Sequence, residues 1–590
     1  WLSSIYHSCS LTSLHPIINR QLKQELPQPN NDIYQITSAY ATAYFEKFQH
    51  HCHQSFSYSY SDYYNHLTTN QKREMDDYEK VLKRDNVFKA SNLGLYNIFK
   101  KSGEKLINDP TDKSKVRNIS GSPTGLKYVI GPFIYAVQKY LYKFDPAHDN
   151  PSSDCKLSES LNDSIRKMRS GKKMAIEIDG KSFDSTQWKI ILMALDVQFY
   201  LRVLSITVQS CFHVPFEIIK QCLENVDIIG YSHLIGYVVY GTVASGRSNT
   251  TLGNTQRSAF YVRYITSIAG LHEGRDYILR CCGDDVLVII LEDCIEAFVK
   301  HHKYTYTNMQ FGLGQQIKKL KICEIHQATY LSMRIVQLKD GYYFIKYPAR
   351  CIANSFWITK IMPNTNKNKA NNIKYTMKLS LLATVYSYPG IKQMVDSIKV
   401  DGIIDDYYTN WLNKMAEVDK DYRVLKNRIS DSANVVNLIN NCSTNTMMFR
   451  AWLREIYGIS EQDIQNNNIN TLATKYNKPI FTYRDVFDDD TAAYTINELI
   501  NRIERLVNFD IYFKEGDNHV IIKHYTIHHA AMEARRKFSV YCPLPEDYAN
   551  DQYLFNYERF FQFNRKRCER IKNIVNRLTR TLKITHHSYL

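Results

Sequence analysis

Several large classes of protein are excluded by what this chain lacks. Its 13 cysteines include no Cys-x-x-Cys pair and no regular framework, so neither a structural zinc site nor a disulfide scaffold is expected; they read as small buried residues of a reducing compartment. His50, His51, Cys52 and His53 are the densest run of metal-ligating types, yet adjacent residues cannot easily all face one ion. The longest apolar run, 190–219, is interrupted by Asp196, Gln198, Arg202 and Gln209, which leaves no stretch fit to span a bilayer. Neither a signal peptide nor a solenoid-type repeat is expected from the pattern. Trp1 stands where an initiator Met would be, so a processed or partial chain is expected. Acidic residues are the scarcer charge, 59 against 75 Lys plus Arg, for a formal +16. With 44% hydrophobic residues the chain is globular rather than a disordered basic tail. Such a surplus suits a polyanionic partner, either nucleic acid or an anionic membrane surface.

At 590 residues the chain can build several sub-domains around one large cleft. Three regions are expected: an N-terminal extension over 1–105, a catalytic core over 106–360 and a C-terminal module over 361–590. A Ser/Tyr-rich patch covers 55–64, and Asn/Lys-rich stretches cover 363–374 and 465–470; the 363–374 stretch marks the second boundary. Beyond it, Asp488–Asp490 looks like the acidic start of an amphipathic helix over 495–507. Segments 509–513 and 519–523 read as a hairpin. Ile571, Ile574, Val575, Leu578 and Leu582 form an apolar stripe on a basic helix, which suits RNA, a membrane surface or ordinary docking alike.

Four elements carry chemistry. The first is YILRCCGDDVLVIIL at 277–291, two β-prone runs around Gly283-Asp284-Asp285, the pattern of strand, tight turn and returning strand. Paired carboxylates at a hairpin tip suit a hard divalent cation, although alone they equally describe a solvated turn. KMAIEID at 173–179 alternates with period two, predicting a strand with one buried face and Asp179 at its end. Asp184 follows on the next turn. Nucleotidyl transfer by two metals needs carboxylates from separate strands to hold ions about 4 Å apart. Between these lies GTVASGRSNTTLGNT at 241–255, a small-residue loop entering a helix capped near Ser248 or Asn249. On that helix Thr250, Asn254 and Ser258 share one face. Upstream, Lys113, Lys115 and Arg117 alternate; in an extended segment they form a cationic row able to neutralise a triphosphate, or else a charged edge strand.

Taken together, and in their chain order of cation strand, Asp strand, Ser-Gly helix and Asp-Asp hairpin, the four elements resemble the viral RNA-dependent RNA polymerases. The resemblance runs from about 113 to 334 and implies an α+β right hand of fingers, palm and mainly helical thumb. It implies that Asp179, Asp284 and Asp285 are catalytic and hold Mg²⁺, with Mn²⁺ as a substitute. It places Lys115 and Arg117 on the incoming triphosphate. Asp184, Ser245, Thr250 and Asn254 would bind the nucleotide, with Asp184 sensing the ribose 2′-hydroxyl. Among Lys318, Lys319 and Lys321 it favours Lys318 as general acid to the leaving pyrophosphate. ATYLSMR at 328–334 resembles the hairpin that grips the primer strand. The implied partners are an RNA template, its product strand and ribonucleoside triphosphates, with a membrane or other replication proteins beside them and no obligate protein partner. The implied place is a membrane-associated site in the host cytoplasm. The wording of DGKSFDSTQ and SGRSNTTLGNT is most similar to nodavirus- and tombusvirus-like polymerases, many of which carry an N-terminal membrane segment not visible here. A reverse transcriptase shares the three carboxylates but usually has an aromatic residue where Asp184 stands. An inactive RNA-binding scaffold, and a membrane module built on the last helix, are the other readings.

Overall fold

The computed structural model describes residues 2–3, 29–100, 118–150, 154–180, 182–231, 236–239, 241–307, 312–346 and 357–358, then 405–418, 423, 426–427, 443–458, 460, 462 and 522–525. Helices and sheets are mixed along these, an α+β architecture. Lys113, Lys115 and Arg117, the 363–374 boundary, and the segments around 488–507, 509–513 and 571–582 lie outside the described residues.

A short parallel pair joins β1 (Leu2–Ser3) to β13 (Trp357–Ile358). A five-stranded sheet has the order β14-β6-β5-β2-β3, with β2 at Leu95–Lys100, β3 at Asn118–Gly121, β5 at Ile228–Tyr231, β6 at Gly236–Val239 and β14 at Ile522–Tyr525. Its β2–β5 pairing is parallel and the rest antiparallel. The sheet therefore crosses the expected division at 105/106. The strand foreseen at 519–523 occurs at 522–525 and pairs with β6.

The β-branched runs form a second sheet, fully antiparallel, in the order β7-β8-β4-β9. Here β4 is Lys173–Gly180, β7 Tyr277–Cys282, β8 Asp285–Leu291 and β9 Ile317–Glu324. The expectation of a single buried face on β4 fails: Ala175, Ile176, Glu177 and Ile178 are all buried. The chain at 325–330 folds over the face that the pattern left to solvent, and the Thr329 N–H donates to Glu177 Oε1 at 2.7 Å. A third sheet holds β10 (Thr329–Tyr330), β11 (Met333–Leu338) and β12 (Gly341–Lys346). ATYLSMR is the β10–β11 hairpin, with Leu331 and Ser332 both at positive φ, as a two-residue type I′ turn requires.

Among the described residues two large hydrophobic cores result, with a small cluster of Leu192, Val197 and Val226 beside them. One lies under the five-stranded sheet and gathers Phe48, Phe56, Val129, Phe133 and Phe199. The other lies against the four-stranded sheet and gathers Ile176, Leu287, Ile289, Phe260 and Tyr330. Helix α1 (Ile33–His51) serves both, giving Ile33 and Ala41 to the second and Tyr44, Phe45 and Phe48 to the first. At its end Cys52 is buried while His50, His51 and His53 are exposed. The Ser/Tyr-rich patch supplies α2 (Tyr60–His66). Helix α3 (Thr69–Asp85) begins with a capping box between Thr68 and Gln71. Helix α4 (Thr124–Phe144) keeps Gly131 where a Cβ would lie 2.5 Å from the Tyr63 hydroxyl, so α2 packs closely on it. The apolar run at 190–219 folds into short pieces: a π-helical turn at Leu192–Val197, a helix at Gln198–Ser205 and a 3₁₀ turn at Gln209–Cys211. Among the described residues no helix is long and apolar enough to cross a membrane.

Candidate active site

The end of the four-stranded sheet that carries the acidic residues is built by two strands and a turn. Asp179, near the end of β4, lies directly opposite Asp285, the first residue of β8. Cys282 pairs with Asp285, so Gly283 and Asp284 form a two-residue hairpin turn. Gly283 has φ +66 with open space around it, so conformation and not room demands glycine there. Asp284 and Asp285 are exposed. Like charges directly opposite across a strand pair destabilise it unless a cation intervenes.

Among the described residues a cation meets Asp179. β9 has a bulge opposite Asp179 and Gly180, and the residue it leaves over is Lys318, whose Nζ donates to Asp179 Oδ2 at 2.7 Å. Its neighbours face a different carboxylate. Lys319 and Lys321 lie 2.8 and 3.3 Å from Glu177. Burial pushes the Glu177 carboxyl up, but Lys319 and the Thr329 hydrogen bonds outweigh it and hold the group below its usual range. Among the described residues the donors at the sheet end are the carboxylate oxygens of Asp179, Asp284 and Asp285, which suit a hard divalent cation, and the Lys318 ammonium stands in for one at Asp179. Among the described residues no three acidic, His or Cys side chains are gathered on one point.

Helix α5 (Thr250–Ile268) aligns this end with the turn after β4. Asn254 Nδ2 donates to Asp184 Oδ1 at 2.6 Å, and the Val243 N–H donates to the Asp184 carbonyl at 3.0 Å. Asn249 is the N-cap but makes no side-chain capping bond. Instead the Thr250 hydroxyl donates to the Ala244 carbonyl at 2.5 Å, closing the loop on itself. Further along α5, Thr255 Oγ1 accepts from the Gly283 N–H at 2.8 Å, and the Ser258 hydroxyl donates to the Gly283 carbonyl at 2.9 Å. These two side chains clamp the peptide that carries Asp284.

The Ser-Gly loop reaches the five-stranded sheet. The Ser120 N–H donates to Ser245 Oγ at 3.2 Å and the Gly246 N–H to the Ser120 carbonyl at 3.1 Å. A Cβ at Gly246 would lie 2.4 Å from that carbonyl oxygen. Gly246→Ala is therefore expected to part the loop from β3 and lower kcat/KM at this site about tenfold. Steady-state kinetics beside a thermal melt would check this; unchanged kinetics in a folded variant would deny the loop its positioning role.

Of the residues singled out in the sequence, the structure brings together Asp179, Asp285 and Lys318 in one group and Asp184 with Asn254 in another. Ser245 sits in the Ser-Gly loop, and Thr250 opens α5 and bonds back to that loop. Sequence reasoning passed over Thr255, Arg257 and Asp196. Asp196 carried a signal: a lone carboxylate in an apolar run that is to be buried requires a partner.

A profile of the viral RNA-dependent RNA polymerase family matches residues 19–387, more than half of the chain. No curated protein matches it significantly. Members of that family generally use divalent metal ions, an RNA template and nucleotide substrates. The match encloses every element of the site just described, and neither a reverse transcriptase nor an inactive scaffold finds support beside it. The chain belongs to the viral RNA-dependent RNA polymerases and is an RNA-directed nucleotidyltransferase that copies viral RNA.

Proposed function

We propose that this polymerase joins ribonucleotides at the β4–β8 sheet end, with Asp179 and Asp284 as the principal metal ligands, Asp285 as a lesser one and Mg²⁺ as the usual ion. The observation that carries the reading is the opposition of Asp179 and Asp285, with Asp184 bound to Asn254 one turn away. When bound, the divalent ions activate the attacking 3′-oxygen and stabilise charge at the α-phosphate and leaving oxygen. The protein's own groups do the rest. Lys318, the one lysine of its segment aimed at Asp179, is placed to give a proton to the departing pyrophosphate. Lys115 and Arg117, shortly before β3 in the sequence, take the triphosphate charge. Asp184 and Asn254 read the 2′-hydroxyl, with Ser245 beside them.

In this reading the four-stranded sheet with α5 is the palm, and the five-stranded sheet with α2 to α4 the fingers. The β10–β12 sheet leads to a mainly helical thumb and C-terminal module over 361–590, from which β14 returns to the five-stranded sheet. Support for the thumb comes from Trp452 on the helix Ser443–Tyr457: its Nε1 donates to the His326 carbonyl at 3.0 Å, next to the hairpin. The similarity to nodavirus- and tombusvirus-like enzymes, and a membrane-associated site in the host cytoplasm, belong to the same reading.

The test is sugar discrimination. Asn254→Ala is expected to lower the ratio of ribonucleotide to deoxyribonucleotide kcat/KM by about tenfold or more, as loss of a hydrogen bond to a charged group predicts. Primer extension on an RNA template measures it; an unchanged ratio would remove Asp184 and Asn254 from sugar recognition.

A further inference from the structure

The Asp184–Asn254 pair is itself held from behind. Asn254 Oδ1 accepts from Arg257 Nη2, and Arg257 Nη1 donates to Asp196 Oδ2. Arg257 is wholly buried and Asp196 is 4% exposed. A side-chain amide can present either its oxygen or its NH₂ to a neighbour, and an oxygen turned toward Asp184 would be repelled. Arg257 only donates, so it takes the Asn254 oxygen and leaves the NH₂ for Asp184. Asp196 in turn compensates a buried guanidinium that would otherwise be costly.

Two further features belong to this arrangement. Asp196 comes from the π-helical turn at Leu192–Val197, a widened turn of the kind that often serves functional sites. On α5, a Cβ at Gly253 would lie 2.5 Å from Asp196 Oδ2 and 3.0 Å from Arg257 Nη1. Glycine in mid-helix is otherwise unfavourable, so its place here is explained by the room it gives the ion pair. Asp196 and Arg257 also line a cavity of about 20 Å³ with Thr242 and Arg247, room for one water. Asp196 Oδ1, Thr242 Oγ1 and Arg257 Nε have no hydrogen-bond partner among the described residues.

We propose that Arg257 and Asp196 are positioning residues for sugar choice, fixing the Asn254 amide so that its NH₂ faces Asp184, and that Gly253 is glycine to admit them. The proposal rests on the reading that Asp184 and Asn254 recognise the 2′-hydroxyl. Lysine at 257 offers a point charge in place of a fork and cannot hold both partners in the same geometry. Gly253→Ala removes no polar group and favours the helix, yet drives a methyl into the ion pair.

The experiment measures kcat/KM for one ribonucleotide and its deoxy counterpart on the same RNA template, with full-length wild type, Asn254→Ala, Arg257→Lys and Gly253→Ala, each checked for folding by circular dichroism. Arg257→Lys and Gly253→Ala are both expected to lower the ribo-to-deoxy ratio about tenfold, with the loss on the ribonucleotide side. Should Arg257→Lys fail to fold, Gly253→Ala decides. If Asn254→Ala lowers the ratio while the folded Arg257 and Gly253 variants keep it, the proposal is overturned and the reading of Asn254 stands. An equal loss for both sugars would also overturn it, as the mark of a merely structural role. An unchanged ratio in Asn254→Ala would remove the reading and the proposal together.

Discussion

Asp284→Ala and Asp179→Ala are each expected to lower template-directed incorporation by about a thousandfold or more, the order of loss when a group that holds catalytic charge is removed. Stability should move the other way or hardly at all. Asp284 is exposed in a two-residue turn, and surface substitutions of that kind usually stay within about 0.5 kcal/mol. Asp179→Ala gives up the contact with Lys318, but both side chains are about half exposed or more, at 45% and 66%, and such pairs contribute little. The same substitution relieves the repulsion between Asp179 and Asp285. The signature is therefore a large loss of rate with a melting temperature that is unchanged or raised. Single-nucleotide extension on a defined template, beside a thermal melt, reads both. Parental incorporation by folded Asp284→Ala would place the chemistry elsewhere in the molecule.

The parts of this site that were legible in the sequence are those set by local pattern. β4, the Gly283–Asp284 turn and α5 each announce themselves within a dozen residues, because strand alternation, turn glycine and helical spacing are short-range properties. Their order along the chain then carried the family resemblance. What could not be read depends on partners distant in sequence. Lys318 differs from Lys319 only through a bulge opposite Asp179 and Gly180, and no spacing rule marks a bulge. Glu177 looked like a solvent-facing residue because the pattern does not show that the chain at 325–330 returns over β4. The clamp of Thr255 and Ser258 on Gly283 joins residues 28 and 25 apart, each of which reads alone as an ordinary helical hydroxyl.

A second large effect is expected behind the Gly283–Asp284 hairpin rather than at it. Arg280 lies in the middle of β7 and is wholly buried. Its Nη2 is 2.8 Å from Asp149 Oδ1 and its Nε 3.1 Å from Oδ2, while Nη1 reaches the Pro146 carbonyl and Ser160 Oγ. The segment 145–149 is thereby stapled to the strand that leads into Gly283. Its backbone adds to the staple: the Cys281 N–H donates to the Ala147 carbonyl at 2.7 Å and the Asp149 N–H to the Cys281 carbonyl at 3.0 Å. Arg263 of α5 holds the segment's other end through Asp145 at 2.7 Å. Arg280→Met would leave the Asp149 carboxylate buried without its partner, a change that costs about 3–5 kcal/mol. The double variant Arg280→Met/Asp149→Leu removes both charges, so most of that loss should return. Burial pushes the Asp149 carboxyl up to about 6, with Arg280 opposing the rise. A raised carboxylate favours the folded protein while it is protonated, so its contribution is present at low pH and is lost as pH climbs from about 4 through the folded value. Without Arg280 the rise is larger, and the deficit of Arg280→Met should be small near pH 5 and grow toward pH 8. Urea unfolding of the three proteins across that range measures it. A deficit that is independent of pH, or a double variant no more stable than the single one, would show that lost packing around β7 and not an unpaired carboxylate sets the cost.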